Sequence, residues 1–115
     1  MVNVSTTAQD LSNDYVKLGA FIGLATGNPG STSTPMHEPS GGSPPYGRQH
    51  TTWTAGTDGV NNGSLVTINV PAGIYTHMIL CSGPTGNNMI DNCPIPQQIL
   101  NNDGQIALNP VYTQS

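Results

Sequence analysis

The sequence has very little charge. Lysine and arginine occur once each, as Lys17 and Arg48, and charged residues make up 7% of the chain, against about 25% in an average soluble domain. A protein that binds nucleic acid neutralises several phosphates with cationic side chains. Two cations beside six acidic residues do not supply them, so we expect no nucleic-acid partner. The same shortage argues against an anionic membrane surface.

Long apolar runs are also absent. No stretch approaches the ~18 consecutive apolar residues that a membrane-spanning helix needs, so we expect no such helix. Residues 1–20 lack a basic start followed by an apolar core, which is the pattern of a secretory signal. We therefore predict that the chain is made in the cytoplasm without a signal peptide.

Catalytic and metal-binding patterns are equally scarce. Hydrolysis needs a nucleophile with an oriented base, or a pair of carboxylates, and the chain has no nucleophile-elbow motif. Asp58, Asp91 and Asp103 adjoin Gly or Asn in apparent turns, where a carboxylate commonly accepts backbone hydrogen bonds. The sequence thus predicts no enzyme, no cofactor and no metal. Four residues could be drawn together as a metal site, but their spacing matches no metal motif: His37, Glu38, His50 and His77.

What the chain has instead is Gly, Pro, Asn, Ser and Thr, which separate short runs of alternating apolar residues. This pattern is typical of an all-β protein. We predict one domain over residues 1–115, folded as an antiparallel β-sandwich or small barrel of about seven short strands. The predicted strands are 16–26, 46–57, 64–70, 74–81, 89–94, 105–108 and 111–113.

The N-terminal residues 1–15 are either an irregular arm or contain one short helix over 5–13. A helix of this length is marginal without packing, so the sequence leaves both open. Ser5 and Thr6 are the candidate N-caps. Apolar side chains at helical spacing come from Ala8, Leu11 and Tyr15.

The longest segment without a strand-like pattern is residues 27–47, which are rich in Gly, Pro and Ser. Loops longer than ~15 residues are uncommon in compact domains and are usually functional or mobile. Glu38 and Arg48 lie at either end of its Gly- and Pro-rich bend, so a bend that doubles back would pair the guanidinium with the carboxylate. Two unrelated surface charges are an alternative, and so is stacking of Arg48 on Tyr46 or Trp53.

Two cysteines, Cys81 and Cys93, flank the predicted hairpin turn at 84–88. With a simple register they face each other across two antiparallel strands, at a Cα separation of about 4.5 Å that permits a disulfide. The alternative is two buried thiols in a protein made in reducing cytoplasm. The sequence leaves both open.

Several short motifs follow one another in a distinctive order. An aliphatic strand precedes T-G-N-P-G (26–30), E-P-S-G-G-S-P-P-Y-G-R-Q (38–49), T-T-W (51–53), N-V-P-A-G (69–73), T-H (76–77) and a T-G turn (85–86). Over residues 16–90 this order resembles a family of small proteins of tailed bacteriophages, especially those of actinobacteria. Its members are tail-fibre-like or minor tail proteins, and similar small proteins decorate capsids.

The resemblance implies a β-sandwich with a non-enzymatic structural role at the virion surface, as a tail-associated or capsid-decorating subunit. The implied partners are major capsid or tail proteins and further copies of the chain, arranged as a trimer in the capsid case. We expect residues 34–46 to contact a neighbour, and Arg48→Ala to weaken incorporation more than folding. The interface residues are Pro35, His37, Glu38, Ser40, Gly41, Gly42, Pro44, Pro45 and Tyr46, and structural support is expected from Arg48, Gln49 and Trp53.

A carbohydrate-binding module that recognises a host-surface glycan is the alternative function. Tyr46, Trp53 and Tyr75, together with the many asparagines, could line a sugar site. Aromatic residues are only 5% of the chain, so such a platform would have to use nearly all of them.

Overall fold

The computed structural model of the chain describes residues 4–113. Within these residues a single helix, α1 (Ser5–Val16), precedes nine strands. The all-β class is confirmed, and the short N-terminal helix is present. The strands are β1 (Phe21–Ala25), β2 (Gln49–His50), β3 (Trp53–Ala55), β4 (Val60–Gly63), β5 (Val66–Val70), β6 (Gly73–Cys81), β7 (Met89–Leu100), β8 (Gly104–Leu108) and β9 (Val111–Thr113).

The strands form three antiparallel sheets, with the orders β2-β1-β6-β7, β3-β4-β9 and β5-β8. They do not close into a barrel, so the sandwich-like arrangement is the one observed. β6 lies between β1 and β7, in the interior position that its apolar residues on both faces indicate.

The main core joins the four-stranded sheet to the ribbon formed by β5 and β8. Val66, Ile68 and Val70 alternate along β5 and are buried, because successive side chains of a strand point to opposite faces. They pack in one cluster with Ile22 and Leu24 of β1. A second cluster lies on the other face of the four-stranded sheet and consists of Ala25, Ile79, Cys81 and Met89.

The prediction of a single strand over 46–57 is wrong. It is divided into β2 and β3, which belong to different sheets. Thr51 lies between them and is fully buried. Its N–H donates to the Ala20 carbonyl at 2.8 Å, and its hydroxyl donates to the Ser64 carbonyl at 2.8 Å. These two contacts hold the chain where it leaves one sheet for the other.

Residues 61–63, which read as a turn, form the end of β4 instead. Asn61 is buried, and its amide donates to Ser12 Oγ at 2.7 Å and to Asn13 Oδ1 at 2.9 Å. Gly63 lies so close to Pro110 that an added Cβ would be 2.5 Å from the proline ring. Close packing against α1 and the segment before β9 therefore overrides the turn propensity of Asn and Gly.

α1 docks on the three-stranded sheet mainly through small and polar side chains. Ala8, Ser12 and Val16 are buried at successive four-residue steps. Leu11, which belonged to the predicted apolar stripe, is 44% exposed. Val4 is the N-cap residue and no side-chain hydrogen bond caps the helix, so the predicted serine cap is wrong. Within residues 4–113 no helix is long and apolar enough to span a membrane.

Candidate functional site

The first half of the long loop folds back on itself. Asn28 Oδ1 accepts a hydrogen bond from the Gly30 N–H at 2.9 Å, and Gly30 has a positive φ of +89°, which glycine adopts without a steric penalty. The His37 carbonyl then accepts from the Thr26 N–H at 3.0 Å. The bend is therefore ordered by contacts within the chain.

The same half of the loop lies along the start of β7. The Ser33 carbonyl accepts from the Met89 N–H at 3.0 Å, and the Gly30 carbonyl accepts from Asn92 Nδ2 at 2.9 Å. β7 is an edge strand of the four-stranded sheet, and edge strands leave backbone groups open to other chains. The loop covers a portion of that edge.

The second half of the loop is tied to two other turns by one carboxylate. Asp103 Oδ2 accepts from the Ser43 N–H at 3.0 Å, and Asp103 Oδ1 accepts from the Ala72 N–H at 3.0 Å. The Tyr46 N–H donates to the Gly41 carbonyl at 2.8 Å. Asp103 therefore accepts backbone hydrogen bonds, as its turn context indicates, but from distant segments.

Glu38 and Arg48 form the predicted ion pair. Arg48 Nε donates to Glu38 Oε2 at 2.8 Å, and Arg48 Nη2 donates to Glu38 Oε1 at 2.9 Å. The side chains are only 3% and 19% exposed for Arg48 and Glu38 respectively. The hydrogen bond to Glu38 raises the pKa of Arg48 above its usual value, against the opposing effect of burial.

The remaining donors of Arg48 hold the β6–β7 hairpin turn. Nη1 donates to the Gly83 carbonyl at 3.1 Å and to Asn88 Oδ1 at 2.7 Å, and Nη2 donates to the Gly86 carbonyl at 2.9 Å. A guanidinium has five N–H groups, and with Glu38 each of them now has an acceptor. Arg48 thus has no donor left for a ligand and acts as the joint between loop and hairpin.

Tyr46 completes this buried cluster. Its hydroxyl donates to Glu38 Oε2 at 2.6 Å and accepts from the Leu24 N–H at 3.2 Å. Burial, and then the hydrogen bond to Glu38, raise the pKa of Tyr46 well above its usual range. Gly23 leaves room for the Tyr46 side chain, because an added Cβ there would collide with the Tyr46 hydroxyl. A glycine within a strand often marks a close neighbour, and at Gly23 that neighbour is Tyr46.

Trp53 and Gln49 lie outside the cluster. Trp53 belongs to β3, in the three-stranded sheet, and its indole Nε1 donates to the Gly19 carbonyl at 3.0 Å. Gln49 is exposed on β2 and pairs with Ile22. Stacking of Arg48 on an aromatic ring is not formed within residues 4–113, where the guanidinium contacts carboxylate, amide and carbonyl oxygens.

Two exposed segments flank the cluster in sequence, residues 40–45 and 84–87, and we call them together the loop platform. All of these residues are exposed. Beside the Arg48–Glu38 pair lies a cleft of about 180 Å³, lined by Glu38, Tyr46, Gly47, Arg48, Pro84, Thr85 and Gly86. Of the other predicted interface residues His37 is exposed, while Pro35, Glu38 and Tyr46 are half-buried.

Of the two alternatives that the sequence leaves open for the cysteines, the structure has the free thiols. Cys81 pairs with Met89, whereas Cys93 pairs with Met78. The hairpin turns about two residues earlier than a register that pairs the cysteines would require, since Leu80 faces Asp91 and Cys81 faces Met89. Cys81 lies in the second apolar cluster, and Met78 packs against the first, so the two thiols lie on opposite faces of the sheet.

The histidines are dispersed. His50 contacts the edge of Phe21, and His77 Nδ1 is 2.9 Å from the Thr76 hydroxyl. His37 has a positive φ of 63° and lies at the bend. Over residues 4–113 no three histidine, cysteine or acidic side chains are placed to hold a metal ion.

Two residues of the site do not follow from the sequence. Asn88 reads only as a member of a hairpin turn, and Asp103 only as a member of a local turn, yet they bind the guanidinium and two distant backbone segments. Neither carries a sequence signal for these partners, because Asn and Asp are common in turns of every kind.

Comparison of the chain with protein-family models, with curated proteins and with solved structures found no match.

Proposed function

We propose that the chain is a non-enzymatic structural subunit of a tailed-phage virion, either tail-associated or capsid-decorating. The motif order over residues 16–90 supports this proposal, and so does the small all-β fold. The subunit presents the loop platform to neighbouring virion proteins and to further copies of itself.

The observation that carries the proposal is that the buried Arg48–Glu38 pair makes its hydrogen bonds within the chain. Arg48 directs each of its N–H groups to a partner in the chain, and Glu38 accepts from Arg48 and Tyr46. Chemistry on a substrate needs polar groups aimed at the substrate. A cluster that instead orders a neutral, exposed loop suits a protein that works by shape.

The platform has the properties of a contact surface. Its residues are Ser, Gly, Pro, Thr and Asn, which offer backbone hydrogen bonds without charges that would have to be desolvated. Because the loop is already ordered within the chain, binding would not have to supply the ~1–2 kcal/mol per residue needed to fix a free backbone. Symmetric assemblies repeat such contacts over many copies.

The positions of the aromatic residues give little support to the glycan-binding alternative. Tyr75 is fully buried and donates its hydroxyl to the Pro71 carbonyl at 2.6 Å, so it does not line a sugar site. Tyr46 and Trp53 have their polar atoms bonded to Glu38 and Gly19. The three rings therefore form no shared stacking platform.

Quantitative mass spectrometry of purified phage particles that carry this gene tests the proposal. Tens of copies per particle would indicate the tail, hundreds would indicate the capsid, and absence from washed particles would overturn the virion role. Ser40→Glu and Thr85→Glu place charges on the platform and should lower incorporation at least tenfold. Thr67 is exposed on β5, so Thr67→Glu is the matched control and should incorporate normally.

A further inference from the structure

A second surface feature lies away from the loop platform, between the four-stranded and the three-stranded sheet. It is a cleft of about 60 Å³. On one side it is bordered by β1, β6 and β7, and on the other by β3 and β9. The walls are almost wholly apolar and include Trp53, Met78, Leu80, Val111 and Tyr112.

The size of this cleft limits what can enter it. A water-sized group needs about 10–15 Å³ of such space, so roughly four to six groups of that size fit. Ligand pockets for whole small molecules hold about 300–1,000 Å³. The cleft therefore suits a single side chain from another protein rather than a cofactor or a sugar.

One charged residue, Asp91 of β7, lines the cleft and is exposed to solvent. Its Oδ2 accepts from the Tyr15 hydroxyl at 2.6 Å, and its Oδ1 accepts from the Asn92 N–H at 2.8 Å. Each carboxylate oxygen can accept two hydrogen bonds, so each has room for one more. The position of the carboxylate is held by these two contacts.

The charge of the whole chain favours a cationic occupant. The net charge is −4, and the Arg48–Glu38 pair cancels within the protein. Lys17 is exposed and its ammonium is 3.3 Å from Asp14, which leaves the acidic side chains as the dominant surface charges. A carboxylate at an otherwise apolar cleft thus attracts a positive group more than a neutral one.

We propose that this cleft binds one lysine side chain of a partner protein. The aliphatic stem lies along Met78 and Val111, as long cationic side chains commonly do on apolar surfaces. The ammonium reaches Asp91, and the Trp53 ring in the lining favours a nearby cation. Lysine fits better than arginine because a cleft of about 60 Å³ admits a narrow stem with a compact ammonium more readily than a broad planar guanidinium.

Methyl NMR of the full chain with labelled methionines tests this with internal controls. Met78 lines the cleft, Met89 is buried in the other cluster, and Met36 is exposed on the loop. The probes are acetylated and amidated Gly-X-Gly peptides in which X is lysine, arginine, norleucine or glutamate. We expect the lysine peptide to shift Met78 saturably while Met36 and Met89 stay unchanged. Norleucine should bind at least fivefold more weakly, arginine more weakly than lysine, and glutamate not at all.

Two variants separate the effect of the Asp91 charge from the effect of its hydrogen bond with Tyr15 of α1. Asp91→Asn keeps an acceptor for Tyr15 but removes the charge, and should weaken the lysine peptide at least fivefold. Tyr15→Phe keeps the charge but removes the hydroxyl, and should leave affinity within twofold. Equal binding of the norleucine and lysine peptides, full affinity in Asp91→Asn, or no Met78 shift at saturating peptide would each overturn the proposal.

Discussion

Arg48 donates to both carboxylate oxygens of Glu38, at 2.8 and 2.9 Å, from a position ten residues further along the chain. This two-point contact fixes the direction of both side chains and closes the Gly- and Pro-rich bend between them. A buried ion pair adds little stability over an apolar replacement, but removing one partner is costly because the other charge is left buried. The pair therefore makes the bend sensitive to single substitutions.

Arg48→Ala is expected to destabilise the isolated domain by about 3–5 kcal/mol, because Glu38 loses its counter-charge and two hairpin carbonyls lose their donor. From the sequence alone we expected a larger effect on incorporation than on folding, and the burial of Arg48 reverses that expectation. Urea unfolding measures the change. Arg48→Lys should recover only some of the loss, since one ammonium cannot reach all the acceptors. Lys17→Ala, at the exposed pair, should cost less than ~1 kcal/mol.

Gly23→Ala and Tyr46→Phe should be coupled. The new methyl group collides with the Tyr46 hydroxyl, so the alanine variant should lose about 1–3 kcal/mol. Tyr46→Phe alone should lose about 1–3 kcal/mol, because the Leu24 N–H loses its acceptor and Glu38 loses a donor. The double variant should be more stable than the sum of the two by at least ~0.5 kcal/mol. Additive losses in urea unfolding would argue against this contact. Gly47→Ala, where nothing lies within 4 Å, is the neutral control.

Alkaline pH should destabilise the fold through Cys81. Burial raises the pKa of its thiol from 9.0 to about 11. Between pH 9 and 11 the unfolded thiol ionises while the folded one keeps its proton, so the unfolded state binds fewer protons and stability falls as pH rises. The slope from one such group is at most ~1.4 kcal/mol per pH unit. Cys81→Ala should reduce the slope of the free energy of unfolding between pH 9 and 10, with a residual slope from the tyrosines whose pKa values are also raised, and an unchanged slope would contradict this assignment.

Both cysteines should be free thiols. Denatured, unreduced protein should take up two iodoacetamide adducts per chain in intact-mass measurements. In the native state Cys81, which is fully buried, should react much more slowly than the half-buried Cys93. A mass two hydrogens lower before labelling, with no adducts, would show a disulfide and contradict the register of β6 and β7.

Asp103→Ala should loosen the loop platform without unfolding the domain. The substitution removes the acceptor for the Ser43 and Ala72 N–H groups, at a cost of about 1 kcal/mol. Amide hydrogen exchange at these two positions should accelerate severalfold. Asp10→Ala on the exposed face of α1 should leave both rates unchanged. If both variants behave alike, Asp103 does not hold the platform.

Some of the candidate site could be predicted from the sequence. Glu38 and Arg48 are scarce charges at the two ends of a Gly- and Pro-rich bend, so their pairing followed from few alternatives. The contacts of Arg48 with the Gly83 and Gly86 carbonyls could not be predicted, since a backbone carbonyl has no sequence signature. They depend on where the hairpin lies relative to the loop, across separations of 35 and 38 residues.

The cysteines show why strand register cannot be predicted from local sequence patterns. The sequence correctly indicated two antiparallel strands joined by a turn near 84–88. The turn is centred near residue 85 rather than 87, because Cys81 faces Met89 and not Cys93, and such a shift of register changes which residues face each other. The division of 46–57 into β2 and β3 has a similar origin, since Thr51 is held by Ala20 and Ser64 from other regions of the fold.

By itself the sequence determined the all-β class, the approximate positions of most strands and the near absence of surface charge. These follow from alternation, turn residues and composition, which act over a few neighbours along the chain. The tertiary structure decided which strands pair, which faces are buried and what Arg48 binds. Those outcomes depend on packing between segments tens of residues apart, where the close fit of side chains selects one arrangement among many that the local pattern permits.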